Sequence, residues 1–409
     1  MDWNLKKVAP LATVALLSIG SLTAADNNCN KCPPRDNAGG CGNTCDAGSS
    51  MAPAGIAPAA RCMLCCNKGW IVDVEALVWR ANMDNLWPTI QSTATTSPLI
   101  GSASNFASSK FNHLQPKWDG GFRLGVGYDM AHDSWDILAT WTYFHNHAHQ
   151  YEDIDTFAFP VQTLTTLWSA FNDTDGSLTE DTAASVHAHW KLNLNMIDLE
   201  LGRKMFVGQW LSIRPNVGLR GALIKQHYSM EYYPGTNVAA NAGIVPLTTR
   251  FDNQIEIVNM HNNFGGVGVK AGLNTQWNFG CGWSLYGDSA FAIVYGAFDV
   301  DQHEQNGPEF TTNPNNTVLG IRDNFHASRG ILDLALGFRW EHPFCDSNSC
   351  MAVSLGWEHH MFFDQIAMKR FVTLNDGSAG QTTTGGTVFF NDGGNLSTQG
   401  VTLGVRFDF

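Results

Sequence analysis

The last ten residues, GVTLGVRFDF (400–409), alternate strictly in polarity. Val401, Leu403, Val405, Phe407 and Phe409 share one parity, and Thr402, Gly404, Arg406 and Asp408 share the other. A period of two is a β-strand with one apolar and one polar face. The segment closes on an aromatic residue with no polar tail behind it. Its apolar face needs cover, from a protein core or from lipid. The choice turns on whether the rest of the chain supplies matching strands.

Nine further amphipathic segments precede it. They centre on residues 70–79, 121–130, 135–143, 190–201, 211–223, 267–277, 283–295, 332–340 and 351–358. The clearest puts Phe122, Leu124, Val126, Tyr128 and Met130 on one face and Gly121, Arg123, Gly125, Gly127 and Asp129 on the other. In the fourth, Trp190, Leu192, Leu194 and Met196 hold one parity, then Ile197, Leu199 and Leu201 take the other. A β-bulge near Met196–Ile197 would account for that slip.

The connections alternate long and short. Polar stretches cover about residues 81–117, 145–188, 226–263, 298–329 and 369–399, and short turns fill the remaining gaps. A soluble sandwich does not predict this alternation, whereas an outer-membrane barrel has long loops at one end and short turns at the other. Trp70, Trp135, Trp190, Trp283, Tyr295, Trp340 and Trp357 recur near the ends of the apolar faces, as aromatic girdles would. Closure is required, because each unpaired backbone group in hydrocarbon costs about several kcal/mol. The sequence therefore predicts an all-β transmembrane antiparallel up-and-down β-barrel of about ten strands, with long outer loops and short periplasmic turns. Residues 156–168 and 385–391 could add strands, which makes a wall of about twelve the alternative.

Charged residues make up 15% of the chain, below the roughly 25% usual for soluble domains. The net charge of −13 argues against a nucleic-acid partner. Residues 1–25 read as a signal peptide: Lys6 and Lys7, a short apolar run, then Thr23 and Ala25 before a cut at Asp26. Residues 26–68 form a cysteine-rich periplasmic segment with an Ala/Pro linker, and 69–409 form the barrel.

The polar parity carries the charges expected inside such a barrel. Arg123, Asp129, Arg214, Arg220, Lys270, Asp288, Asp333, Arg339, Glu358 and Arg406 are the pore-lining candidates, and Asp73 and Glu75 share their face. Rings of opposed charge tune ion selectivity; inside a plugged barrel the same charges would neutralise one another.

Five segments in order resemble the pore-forming major outer membrane protein family known from Legionella and from environmental relatives of Chlamydia. They are WDGGFRLGVGYDMAHDSWDILATWTYFHNHA (118–148), MIDLELGRKMFVGQWLSIRPNVGLRGALI (196–224), NNFGGVGVKAGLNTQWNFGCGWSLYG (262–287), LDLALGFRWE (332–341) and LSTQGVTLGVRFDF (396–409). The resemblance implies a porin-like barrel and brings no catalytic residue or cofactor with it. The cysteine-rich N-terminal segment resembles instead the disulfide-linked envelope proteins of chlamydiae.

Cys29, Cys32, Cys41, Cys45, Cys62, Cys65 and Cys66 crowd the N-terminal segment, while Cys281, Cys345 and Cys350 fall in short turns. On the barrel topology all ten face the oxidising periplasm, where disulfides are the default. Cys29-x-x-Cys32 and Cys62-x-x-Cys65 also have zinc spacing, which export makes the weaker reading. The partners expected are outer-membrane lipid and, through disulfides, further copies of the chain or other cysteine-rich envelope proteins. His145, His147 and His149, with Glu152, Asp153 and Asp155 behind them, could hold a divalent metal or simply form a solvated loop base. The expected function is a porin-like channel for small hydrophilic solutes or ions that also serves as a disulfide-linked envelope component. A plugged structural or adhesive barrel is the alternative, and an outer-membrane hydrolase a further one, although no motif specifies its site.

Overall fold

The computed structural model describes residues 69–94, 109–130, 135–154, 161–169, 182–207, 210–233, 254–280, 282–308, 316–344, 349–374 and 386–409. The signal peptide, the cysteine-rich segment, Asp155, Cys281 and Cys345 lie outside them. Ten long strands form the wall: β1 (Gly69–Met83), β2 (Asp119–Met130), β3 (Trp135–Asp153), β4 (Ser185–Arg203), β5 (Leu211–Tyr233), β6 (Gln254–Gly280), β7 (Trp283–Pro308), β8 (Asn316–Phe344), β9 (Ser349–Leu374) and β10 (Gly386–Asp408). Each pairs antiparallel with its chain neighbours. β10 closes on β1, with Val72 opposite Phe407 and Trp79 opposite Gly400. The terminal segment is thus the closing strand, and no edge is left for lipid to meet.

The wall has two storeys of opposite polarity. In the storey near the short turns, apolar residues point outward and polar ones inward. On β5 Val217, Leu219 and Leu223 are exposed on the outer face, while Asn216 and Arg220 are buried inside. In the storey near the long loops the assignment inverts without any change of strand. Further along β5 the inward positions become Ala222, Ile224, Tyr228, Met230 and Tyr232, all fully buried. The outward ones become Lys225, His227, Ser229 and Glu231. Nearly every strand switches at a similar level, for example Glu75 to Leu77, Thr142 to Phe144 and His360 to Phe362. A strand that leaves lipid for water must turn its greasy parity inward, because the apolar medium has moved from outside to inside.

β4 corrects the expected bulge. It pairs with both β3 and β5 in unbroken register through Met196 and Ile197. Trp190, Leu192, Leu194 and Met196 are buried in the interior, while Ile197, Leu199 and Leu201 are exposed to lipid. The apparent slip is the change of medium, not an inserted residue. Trp190 accordingly leaves the aromatic girdle: it is completely buried in the outer-storey core. Trp70, Trp283, Tyr295 and Trp357 do stand exposed on the outer face.

The same inversion explains why the polar stretches were overlong. Nearly half of the stretch 226–263 is wall, because β5 runs to Tyr233 and β6 starts at Gln254. The stretch 298–329 shrinks to residues 309–315.

Four short strands lie inside the outer storey. Residues Thr89–Ala94 pair with Ser109–Asn112 and with Val161–Thr166, which pairs with Thr182–Ala183. Residues 156–168 thus supply a strand of this separate sheet rather than of the wall, and 386–391 extend β10 against β9. Among the described residues the wall has ten long strands, not twelve, and the two-residue strand Met205–Phe206 pairs only with β5. Tyr232 Oη donates to the Pro88 carbonyl at 2.9 Å, and Trp168 Nε1 donates to the Trp87 carbonyl at 2.9 Å. Trp168 packs edge-on against Tyr228, so the small sheet is fixed to the inner wall. Leu164, Trp190, Phe264, Phe298 and Phe362 complete an apolar plug.

Two glycines have a steric cause. Gly282, in the β6–β7 turn, has φ +82°, and a Cβ there would sit 2.3 Å from the Glu341 carbonyl oxygen. Gly356 lets the Tyr286 ring lie flat on β9; a Cβ would meet its hydroxyl at 2.1 Å.

Candidate functional site: a charged lumen beneath an apolar plug

Polar inward positions of the lower storey come from all ten strands and converge on one cavity. Its volume is about 270 Å³. All ten lumen candidates line it: Arg123 and Asp129 on β2, Arg214 and Arg220 on β5, Lys270 on β6, Asp288 on β7, Asp333 and Arg339 on β8, Glu358 on β9 and Arg406 on β10. Asp73 and Glu75 of β1 join them.

Directly beneath the plug these side chains form one continuous chain of ion pairs across the barrel. Arg123 reaches Glu75 Oε2 at 2.6 Å and Glu358 Oε2 at 2.8 Å. His360 bridges Glu358 at 3.2 Å and Asp333 at 2.7 Å. Arg220 holds Asp333 and Asp198, each at 2.6 Å. Lys270 joins Asp198 at 2.8 Å to Glu200 at 2.6 Å, and Arg214 joins Glu200 to Asp136. The links Arg123–Glu358 and Arg220–Asp333 connect strands that are not neighbours, so they tie opposite parts of the wall together. Burial in low dielectric makes each pair strong and each orphan costly.

The pairing does not consume all the charge. The lining holds eleven Asp or Glu and seven Lys or Arg. Asp129, Asp288 and Asp73 face the cavity below the network, and Arg406 pairs with Asp408 at 2.8 Å near the short-turn end. Arg339 stacks over the Tyr286 ring at 5.3 Å. By formal count the carboxylates of the lining outnumber its basic groups.

Asp136, Asp198, Glu200, His360 and Asp408 belong to the site although the sequence reading did not single them out. The signal was present: each sits on the parity opposite an outward apolar residue, as Asp198 and Glu200 flank Leu199. Cys350 is buried at the lower end of β9, at the rim of the same cavity. The remaining nine cysteines lie outside the described residues.

Above the lipid-facing belt, the outer face of β3 to β6 is rich in histidine. Burial, with His149 and Lys191 adding to it, lowers the His189 pKa from 6.5 to about 4. Burial also lowers His149 and His227, helped by neighbouring cations.

A family model described as Legionella pneumophila major outer membrane protein precursor matches residues 63–409. The chain belongs to this family. With the closed ten-stranded barrel, membership makes it a protein of the bacterial outer membrane. No curated protein matches the sequence.

Among solved structures, the outer membrane protease OmpT from Escherichia coli is similar at 10% identity and a TM-score of 0.35, with 83% of this chain and 97% of that one covered. A Pseudomonas aeruginosa FadL homologue is similar at 9% identity and a TM-score of 0.26, covering 85% and 91%. The Pseudomonas putida toluene transporter TodX reaches 7% and 0.19, covering 83% and 90%. These are likenesses between barrels and carry nothing about the lumen.

Proposed function

We propose that this family member is a non-catalytic channel for small hydrophilic solutes, with a preference for cations. The observation that supports it is the excess of carboxylates over basic groups around the lumen cavity. A field of that sign concentrates cations and repels anions at the constriction. In this reading the short-turn end is periplasmic, with both chain termini, and the long-loop end is outside. The plug is the constriction, and the ion-pair chain beneath it is the filter. Cysteines of the N-terminal segment and of the short turns then share the oxidising side, where disulfides to copies of the chain or to other envelope proteins would reinforce the wall.

A second reading, a closed structural barrel, is favoured by the apolar packing of the outer storey. Planar-bilayer recording separates the two. The channel reading expects discrete conductance steps and a cation-selective reversal potential under a salt gradient. Asp129→Asn with Asp288→Asn should weaken that selectivity, because both carboxylates face the cavity. Arg220 is a poorer probe than its position on the polar parity suggested, since Arg220→Glu would bury three carboxylates together. Absence of conductance in refolded, heat-modifiable protein would leave the structural barrel standing.

A further inference from the structure

The outer storey carries a second constellation, on the outside of the wall. Above the lipid-facing belt the outward positions of four adjacent strands read His145, His147 and His149 on β3, His187 and His189 on β4, His227 on β5 and His261 on β6. That is seven of the fourteen histidines in the chain, gathered on one patch. The register sets His149 opposite His189 and His227 opposite His261. Lys191 stands between the two pairs, opposite His227. The rings of the first pair stack at 4.1 Å with 8° between planes, and those of the second lie 4.4 Å apart at 34°. His189 Nε2 is enclosed without a hydrogen-bond partner among the described residues.

We propose that the pairs His149–His189 and His227–His261 are two clamps for a borderline-soft divalent cation such as Cu²⁺, Ni²⁺ or Zn²⁺. Directly opposed residues on antiparallel strands hold their Cβ atoms about 4.5–5.5 Å apart. Two imidazoles so placed reach one metal at about 2.0–2.1 Å once a ring turns about χ2, with water in the remaining positions. Imidazole selects Cu²⁺, Ni²⁺ and Zn²⁺ over the hard cations Ca²⁺ and Mg²⁺, with Cu²⁺ bound tightest. Among the described residues no three His, Cys, Asp or Glu side chains converge on one point, so each clamp is a two-residue site. Asp301 lies opposite His261 on β7, where its carboxylate pairs with His303 at 3.1 Å. The site is independent of the lumen, because these side chains point away from it.

The test uses refolded full-length protein without an affinity tag. Calorimetric titration with CuCl₂, NiCl₂ and CaCl₂ is compared between wild type, His149→Asn/His189→Asn, His227→Asn/His261→Asn and the quadruple variant. His342→Asn, near the opposite end, serves as control. Differences between wild type and variant cancel any binding by the cysteines. Each double variant should lose one equivalent of Cu²⁺, and the quadruple variant two. Copper electron paramagnetic resonance should show nitrogen couplings that vanish with them, and Ca²⁺ should give no heat. The heat-modified shift on gels confirms that every variant is folded. An unchanged copper stoichiometry in the quadruple variant overturns the proposal. A silent double variant overturns its own clamp. Binding of inorganic phosphate below pH 6, with no copper heat at pH 7, overturns it in favour of a protonated anion patch.

Discussion

Replacing Arg220 by Met is the sharpest perturbation of the lumen network. The Arg220 side chain is 3% exposed and its guanidinium is shared between Asp198 and Asp333, at 2.6 Å each. Methionine fills much of the space but removes the charge. Orphaning a buried carboxylate costs about 3–5 kcal/mol. Here neither is fully orphaned: Asp198 keeps Lys270 at 2.8 Å, and Asp333 keeps His360 at 2.7 Å. The loss should therefore sit near the low end, about 3 kcal/mol, or about a hundredfold in the folded-to-unfolded ratio. Adding Asp333→Asn removes the surplus charge and should recover most of that loss, so the two changes should be strongly non-additive. Urea unfolding in lipid vesicles, followed by tryptophan fluorescence and the heat-modified gel shift, measures both. A single variant within about 0.5 kcal/mol of wild type would refute the reasoning, because it would mean that water reaches the network freely.

Three further outcomes follow from the inverted storeys. Leu219→Arg, on the lipid face, should cost about 2–4 kcal/mol, whereas Ser229→Arg, ten residues along the same outward parity of β5, should stay within about 0.5 kcal/mol; vesicle unfolding compares them. Trp190→Ala should cost about 3–5 kcal/mol, and by loosening the plug should raise conductance in planar bilayers. His189 should stay neutral until about pH 4 where a free imidazole titrates near 6.5, as ring-selective NMR would show. Its folded pKa is below its unfolded one, so its contribution to stability is complete above about 6.5 and falls away towards pH 4.

Much of the architecture was legible because one rule sufficed for it. Where lipid lies outside, parity alone assigns faces. The closing pair of β10 with β1, the short turns and the inward direction of Arg123, Lys270 and Glu358 all follow from it. The rule failed where the medium changes along a strand. Leu192, Leu194 and Met196 looked out of phase with Leu199 only if a single solvent ran the length of β4. Trp190 looked like a girdle residue for the same reason, and the outer halves of β5 and β6 looked like loop. The plug was hidden differently. Its short strands, such as Val161–Thr166, pair with segments distant in sequence, and no local pattern announces a partner. The histidine pairs were half visible. Alternation showed that His145, His147 and His149 point one way, but their neighbours His189, His227 and His261 arrive only with the register.

The inversion itself is tested most directly on β4. Single cysteines at each position from 188 to 201, in a background with the ten native cysteines replaced by serine, can be spin-labelled after refolding into vesicles. Oxygen and a water-soluble nickel complex then report lipid and water exposure. Labels at Ile197, Leu199 and Leu201 should see oxygen, and labels at Asn195, Asn193 and Lys191, on the same parity, should see nickel. Those at Leu192, Leu194 and Met196 should see neither and be immobile. A shift of the accessible positions from odd to even on passing from Ile197 to Met196 would contradict the account, because it would restore a bulge and leave the strand with one greasy face throughout.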